Sequence, residues 1–298
     1  MSVDVVVTAT AFMDITFIGL ESVPRPGEER FAGDLLRSPG GGAINAVGAA
    51  RLGLSSALAV PLGEDLDGSF IRAALEDEDI ALATGAGSRT PTTVVMPWGG
   101  ERAMVTYEPG TTTRAADVAA FSPRAVVVAL DQLDVVPDGT PAYATCGDDD
   151  ARAFSGRIPS EIGRAAVLFL ERSDALLLTG CESLDDALAA LGSVVETVIV
   201  AHSPRGTVAI SGGERIETPC FDTGPAVDTT GDRDLLCAAY AWADLRGAEP
   251  RDCIAWAQLY AELAMSVPTA TGGAVTEDRL LEEGVTRGLA PPPRAQPR

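Results

Sequence analysis

Lysine is absent from the 298-residue sequence, in which all 22 basic residues are arginine. Schiff-base chemistry on lysine is therefore excluded, and so is the P-loop pattern G-x-x-x-x-G-K-[ST], whose phosphate grip needs that lysine. Histidine occurs once, at His202. A lone histidine without partners disfavours a histidine metal site or a Ser/His/Asp triad and reads as a loop or rim residue. The five cysteines, Cys146, Cys181, Cys220, Cys237 and Cys253, are odd in number and contain no C-x-x-C pair, which points to reduced, mostly buried thiols. Apolar runs are short. The longest, such as residues 165–170 (AAVLFL), fall far below bilayer length, and MSVDVVVTAT lacks the basic start of a signal peptide. No membrane partner and a cytoplasmic location are the expectations. Positive charge is scarce as well: 43 acidic residues give a formal net charge of −21, a field that repels phosphate backbones and disfavours nucleic acid as a partner. An anionic ligand needs local arginine.

What remains is ordinary globular composition, 46% hydrophobic and 22% charged. Strand-like runs (VDVVVTA, ALAVPLG, AVVVAL, PAYATCG, TVIVAH) alternate with helical ones (AINAVGAARLG, GSFIRAALEDE, LDDALAALGSVV). Such alternation predicts a parallel sheet covered by helices on both faces. Two stretches break the rhythm. Residues 14–37 and 90–108 read as β-rich hairpins, the second with a turn at Gly99 and Gly100. Together they suit a small lid over the carboxyl ends of the main strands, and the lid suits a homodimer contact. Residues 290–298 form a Pro-rich tail expected to be disordered, leaving a single domain over 1–289.

Two glycine-bearing helix starts carry the chemistry. Gly40, Gly41 and Gly42 precede an apolar helix in which Asn45 is the polar side chain of the first turn. Asn45 reads either as a local cap or as a ligand for hydroxyls. The second start is VDTTGDRDLLCAAYAWA, a strand-like approach and a turn set against another apolar helix. Bare amides and the helix dipole make such a turn an anion site. Asp232 opposes that use. It or Asp234 reads equally as a plain N-cap.

In sequence order these stretches resemble the ribokinase-like, PfkB-type carbohydrate kinases, which include adenosine kinases and fructokinases. The resemblance rests on residues 40–53 (GGGAINAVGAARLG) and 228–234 (DTTGDRD). Asp14, residues 24–28 (PRPGE), 63–68 (GEDLDG), 177–180 (LLTG) and 270–274 (ATGGA) add to it. It implies an α/β fold: a doubly wound, mostly parallel central sheet with helices on both faces, plus a small β-rich lid. The implied reaction moves the ATP γ-phosphoryl group to a sugar or nucleoside hydroxyl. By the same resemblance Asp14, Gly40, Gly41 and Asn45 bind the acceptor, Asp234 is the base, and the turn of Gly231, Asp232 and Arg233 is the anion hole. Ser203, Gly206 and Thr229 fall on the nucleotide side. Glu171 and Asp174 would reach Mg²⁺ through water, and a monovalent cation is a further implied ligand.

The sequence departs from the family on the ATP side. The family writes D-T-x-G-A-G-D where this chain has Asp232 and Arg233 before the last aspartate. Two like charges about 5 Å apart at an effective dielectric near 20 repel by roughly 3 kcal/mol. Arg233 is expected to relieve this by pairing with Asp232 or by gripping a phosphate. The family's N-x-x-E aligns with Glu171 and Asp174, and its T-L-G-x-x-G loop with AHSPRG, which places Ala201, His202 and Ser203 in the first part. Two functions are compatible with this pattern: a small-molecule kinase, and a catalytically weakened relative that binds a sugar or nucleoside as a sensor or regulatory protein.

Overall fold

Short valine-rich runs build the central sheet of the computed structural model, which describes residues 1–293 except 84, 88, 100, 111 and 202–204. In spatial order its nine strands are Glu214–Thr218, Thr207–Ser211, Thr197–Ala201, Val167–Glu171, Ala142–Thr145, Ala125–Ala129, Val5–Val7, Ser56–Leu58 and Ala81–Leu82. The seven from Thr197–Ala201 to Ala81–Leu82 run parallel. Only the hairpin Thr207–Ser211/Glu214–Thr218 is antiparallel, extending one edge. Because successive strand residues point to opposite faces, each run feeds two cores. Val5, Val127, Tyr143, Phe169 and Ile199 enter one. Val6, Val126, Ala144, Leu168 and Val198 enter the other.

The first core is closed by helices Gly42–Arg51, Asp232–Asp244 and Pro250–Ala264. Asp232–Asp244 is buried from Leu235 to Ala243, and its Trp242 meets Trp256 of Pro250–Ala264 edge to face, with ring centroids 5.8 Å apart. Gly48 decides how closely the first two helices approach. A Cβ there would lie 2.8 Å from Leu235 Cδ2 and 3.1 Å from the Ala238 Cβ.

A second sheet of four strands, in the order Asp34–Gly41, Ala11–Ile18, Thr92–Trp98 and Glu101–Tyr107, joins the two β-rich stretches. Ala11–Ile18 pairs antiparallel with Asp34–Gly41 (Asp14 opposite Ser38) and parallel with Thr92–Trp98 (Met13 opposite Thr92). The pairing runs further than hydrophobic patterning suggests, so Asp14, Gly40 and Gly41 are strand residues. The approach to the 228–234 turn, by contrast, is no strand. The amides of Val227 and Asp228 donate to the Met265 carbonyl just past Pro250–Ala264, which ties the segment to a helix end. At the other end of the chain the Trp256 indole N–H donates to the Ala290 carbonyl at 3.0 Å, so the first residue of the Pro-rich stretch is anchored. Residues 294–298 lie outside the described residues.

Candidate active site

Val5–Val7 has Ala125–Ala129 on one side and Ser56–Leu58 on the other. The chain therefore reverses its direction of growth there, and the carboxyl ends of the strands leave a crevice at that point. Thr10, Asp131, Gln132, Thr145 and Asp150 emerge into it. With Phe12, Gly41, Glu108, Arg233 and Asp234 they line a cleft of about 360 Å³.

Two helix N-termini form its floor. Gly41, at φ 56°, precedes Gly42–Arg51, and a Cβ on it would come within 2.4 Å of the Thr10 carbonyl oxygen. Gly231, at φ 75°, precedes Asp232–Asp244, and there a Cβ would come within 2.7 Å of Ile44. Only glycine suits either position. Since Gly48 lets the two helices lie close, Asn45 reaches Asp234: its Nδ2 donates to Asp234 Oδ1 at 2.8 Å. Asn45 is 1% exposed, and its Oδ1 meets no donor among the described residues. Burial raises the Asp234 carboxyl to about 6, against the lowering effects of Arg233 and the Asn45 hydrogen bond. Asp14 stands beside it, 6% exposed, in space that Gly40 leaves open, since a Cβ on Gly40 would fall 2.2 Å from the Asp14 carboxyl carbon. Burial, then the charges of Asp234 and Asp228, push Asp14 to about 7. Asp14, Gly40, Gly41, Asn45 and Asp234 thus converge from four elements.

The other side of the floor differs from the expected arrangement. The Arg233 guanidinium does not pair with Asp232. Its Nη1 donates to the Cys146 carbonyl at 2.7 Å and to Asp174 Oδ2 at 3.2 Å. The Asp232 Oδ1 instead accepts the backbone N–H of Arg233 at 2.8 Å, so a side-chain carboxylate occupies an amide of the turn expected to form an anion hole. Arg102, on the hairpin strand Glu101–Tyr107, crosses to this place. Its Nη1 donates to the Thr229 carbonyl at 2.9 Å and hydroxyl at 2.6 Å, and its Nη2 to Glu171 Oε1 at 3.3 Å. Asp228 fastens the turn by accepting from the amides of Thr230 and Thr269, each at 2.9 Å.

Arg102 is the residue that sequence reading missed, and no local pattern marks it. Asp131 and Asp150, also missed, line the cleft. Burial and the charge of Asp149 raise both, Asp150 to about 7. On the small sheet, Met13 is core at 1% exposure and Met104 is half exposed. Trp98 lines a separate cavity of about 190 Å³ with Ile18, Arg102, Val227 and Thr229, where the small sheet meets the turn. Gly206 is at φ 89° with a Cβ position 2.0 Å from the Thr218 carbonyl oxygen, so close backbone packing alone requires glycine there. Ser203 and His202 lie outside the described residues.

Glu171 and Asp174 do not fit the role of open Mg²⁺ ligands. Each carboxylate is held by an arginine, and among the described residues no group of three or more His, Cys, Asp or Glu side chains is placed to hold a metal ion.

The sequence matches the family model described as pfkB family carbohydrate kinase over residues 4–146 and 141–277. Solved structures of the same fold include ribokinase from Arabidopsis thaliana complexed with ribose and ATP, with 23% identity and a TM-score of 0.76, covering 95% of this chain and 98% of that one. Ribokinase from Giardia lamblia is similar at 14% identity and a TM-score of 0.81, covering 96% and 100%. Adenosine kinase from Sinorhizobium meliloti is similar at 19% identity and 0.76, also covering 96% and 100%. With both glycine-led helix starts at one crevice and the family match spanning most of its length, the chain belongs to the PfkB family of carbohydrate kinases.

Proposed function

We propose that the protein transfers the γ-phosphoryl group of ATP to a hydroxyl of a sugar or nucleoside. The observation that carries this reading is the Asn45–Asp234 hydrogen bond between the first turns of two buried helices, with Asp234 lining the cleft. Asn45 holds Oδ1 of Asp234, which leaves the other carboxylate oxygen for the acceptor. Asp14 and the open Oδ1 of Asn45 accept hydrogen bonds from acceptor hydroxyls, and Gly40 and Gly41 let the backbone approach the ring. As the hydroxyl oxygen bonds to the γ-phosphorus and the β–γ bridging oxygen leaves with ADP, Asp234 takes the hydroxyl proton. Proton removal contributes modestly beside alignment and stabilisation of phosphoryl charge. A radiolabelled ATP assay over a panel of sugars and nucleosides tests the reading. It expects transfer to at least one acceptor and none by Asp234→Asn; full transfer by that variant overturns the assignment.

A second reading, a relative that binds the acceptor without transfer, is favoured by one observation: the Asp232 carboxylate already fills the Arg233 amide. Calorimetry with ATP and with each acceptor separates the two, because the binder takes up the acceptor alone. Under either reading the small sheet serves as a lid. Its exposed Leu35, Val105 and Tyr107 support a homodimer contact. The five free cysteines support a reducing, cytoplasmic setting.

A further inference from the structure

The departure in the 228–234 turn places an arginine where the family has glycine, and its guanidinium lies against one of the two carboxylates that the family resemblance ties to Mg²⁺. Asp174 is 4% exposed, and its Oδ2 receives Arg233 Nη1. The other carboxylate, Glu171, receives Arg102 from the lid. A dication reaching either carboxylate would sit against a fixed positive charge. Arg233 also lines the cleft, and its buried Nε meets no acceptor among the described residues. Arginine's planar fork suits phosphate oxygens, and its charge persists at every working pH.

We propose that Arg233 and Arg102 take the place of a divalent cation against the donor phosphates, so that this chain binds ATP without metal. The inference rests on the kinase reading above. In it Asp174 and the Cys146 carbonyl aim Arg233, while Glu171 and Thr229 aim Arg102. The lid thereby delivers one of the two charges, and closing it completes the donor site.

The test is calorimetric titration of the full chain with ATP in EDTA, and again in excess MgCl₂. Equal affinity within about threefold in the two conditions is the expected result. Arg233→Gly is expected to weaken ATP binding in EDTA by about tenfold or more, with Mg²⁺ restoring it, since the glycine reopens Asp174 to a cation. Should Arg233→Gly fail to fold, Arg102→Ala on the exterior hairpin decides, with a loss of about tenfold in EDTA expected. Wild-type binding that appears only with Mg²⁺ overturns the proposal and leaves the kinase reading standing. Absence of ATP binding in both conditions overturns both. Unchanged affinity of Arg102→Ala in EDTA also overturns the proposal.

Discussion

A carboxylate that must accept a proton works best when its pKa lies a little below the operating pH. Asp234, at about 6, meets that condition because burial outweighs the lowering effects of Arg233 and Asn45. The sign follows directly. Transfer should rise about tenfold per pH unit below 6 and level off above about 7, as the ionised fraction saturates. Asn45→Ala removes a hydrogen bond that favours the charged form, so the acidic limb should move to higher pH, a shift that mere structural loosening would not cause. A pH–rate profile of the two proteins checks this, and identical limbs would show that Asn45 does not tune the base. Asp14 invites a different measurement. Asp14→Ala should weaken acceptor binding by about 1.5–3 kcal/mol, the range for hydrogen bonds to a charged group. Calorimetry with the best acceptor reads it, and unchanged affinity removes Asp14 from the site. Both aspartates stand out in the sequence only through the family resemblance, Asp14 after the first strand-like run and Asp234 as the last residue of 228–234. Arg102 does not stand out, because it lies 127 residues from Thr229 and 69 from Glu171, and only the fold of the small sheet brings them together.

Elements, rather than side chains, set the distance between Asn45 and Asp234. The contact of Gly42–Arg51 with Asp232–Asp244 is tight because Gly48 has no Cβ to meet Leu235 and Ala238. Gly48→Val should therefore force the helices apart and cost about 1–3 kcal/mol, the usual penalty for overpacking. Urea unfolding measures the loss, and a full-stability variant would show that the helices part without strain. Because the same displacement pulls Asn45 from Asp234, the acidic limb of the rate profile should shift as in Asn45→Ala. At this scale the sequence was readable where a local rule applied. Alternating valine runs marked the central strands, and Gly-led starts marked both helices. The exact reach of the small sheet was hidden because strand pairing extends through Pro39, Gly40 and Gly41, residues with weak strand preference. The segment before Asp228 looked like a strand for the opposite reason. Its amides found a carbonyl at a helix end instead of a neighbouring strand, and local pattern cannot distinguish the two partners.

At the scale of the whole molecule, negative charge is in large excess, −21 without a single lysine, and part of it is buried in and around the cleft. Asp14 and Asp150 rise to about 7, and Asp174 and Asp234 to about 6, from an ordinary 3.8, chiefly through burial. A carboxyl whose folded pKa is raised binds its proton more tightly in the folded state. Its stabilising contribution is complete below about pH 4 and is lost as pH rises through 6 to 7. Asp65 does the reverse: burial works against it, but hydrogen bonds from Thr90 and Gly68 lower its pKa. That change falls below pH 4 and leaves the higher range to the raised carboxyls, which Asp131, Asp232 and Glu262 join through burial. The fold should therefore be less stable at pH 8 than at pH 5, by about 2–3 kcal/mol or about 5–10 °C in Tm once partial exposure and mutual coupling are allowed for. General self-repulsion adds in the same direction and is screened by salt, whose Debye length falls from about 10 Å at 0.1 M to about 3 Å at 1 M. Thermal unfolding at both pH values, each with 0.1 and 1 M NaCl, separates the contributions. Salt should recover the surface part at pH 8 and leave a residual pH difference from the cleft, which Asp14→Asn with Asp150→Asn should shrink because the amides carry no charge to bury. If the residual survives that double substitution undiminished, the pH dependence arises outside the cleft, and the raised carboxyls are not what limits the fold near neutrality.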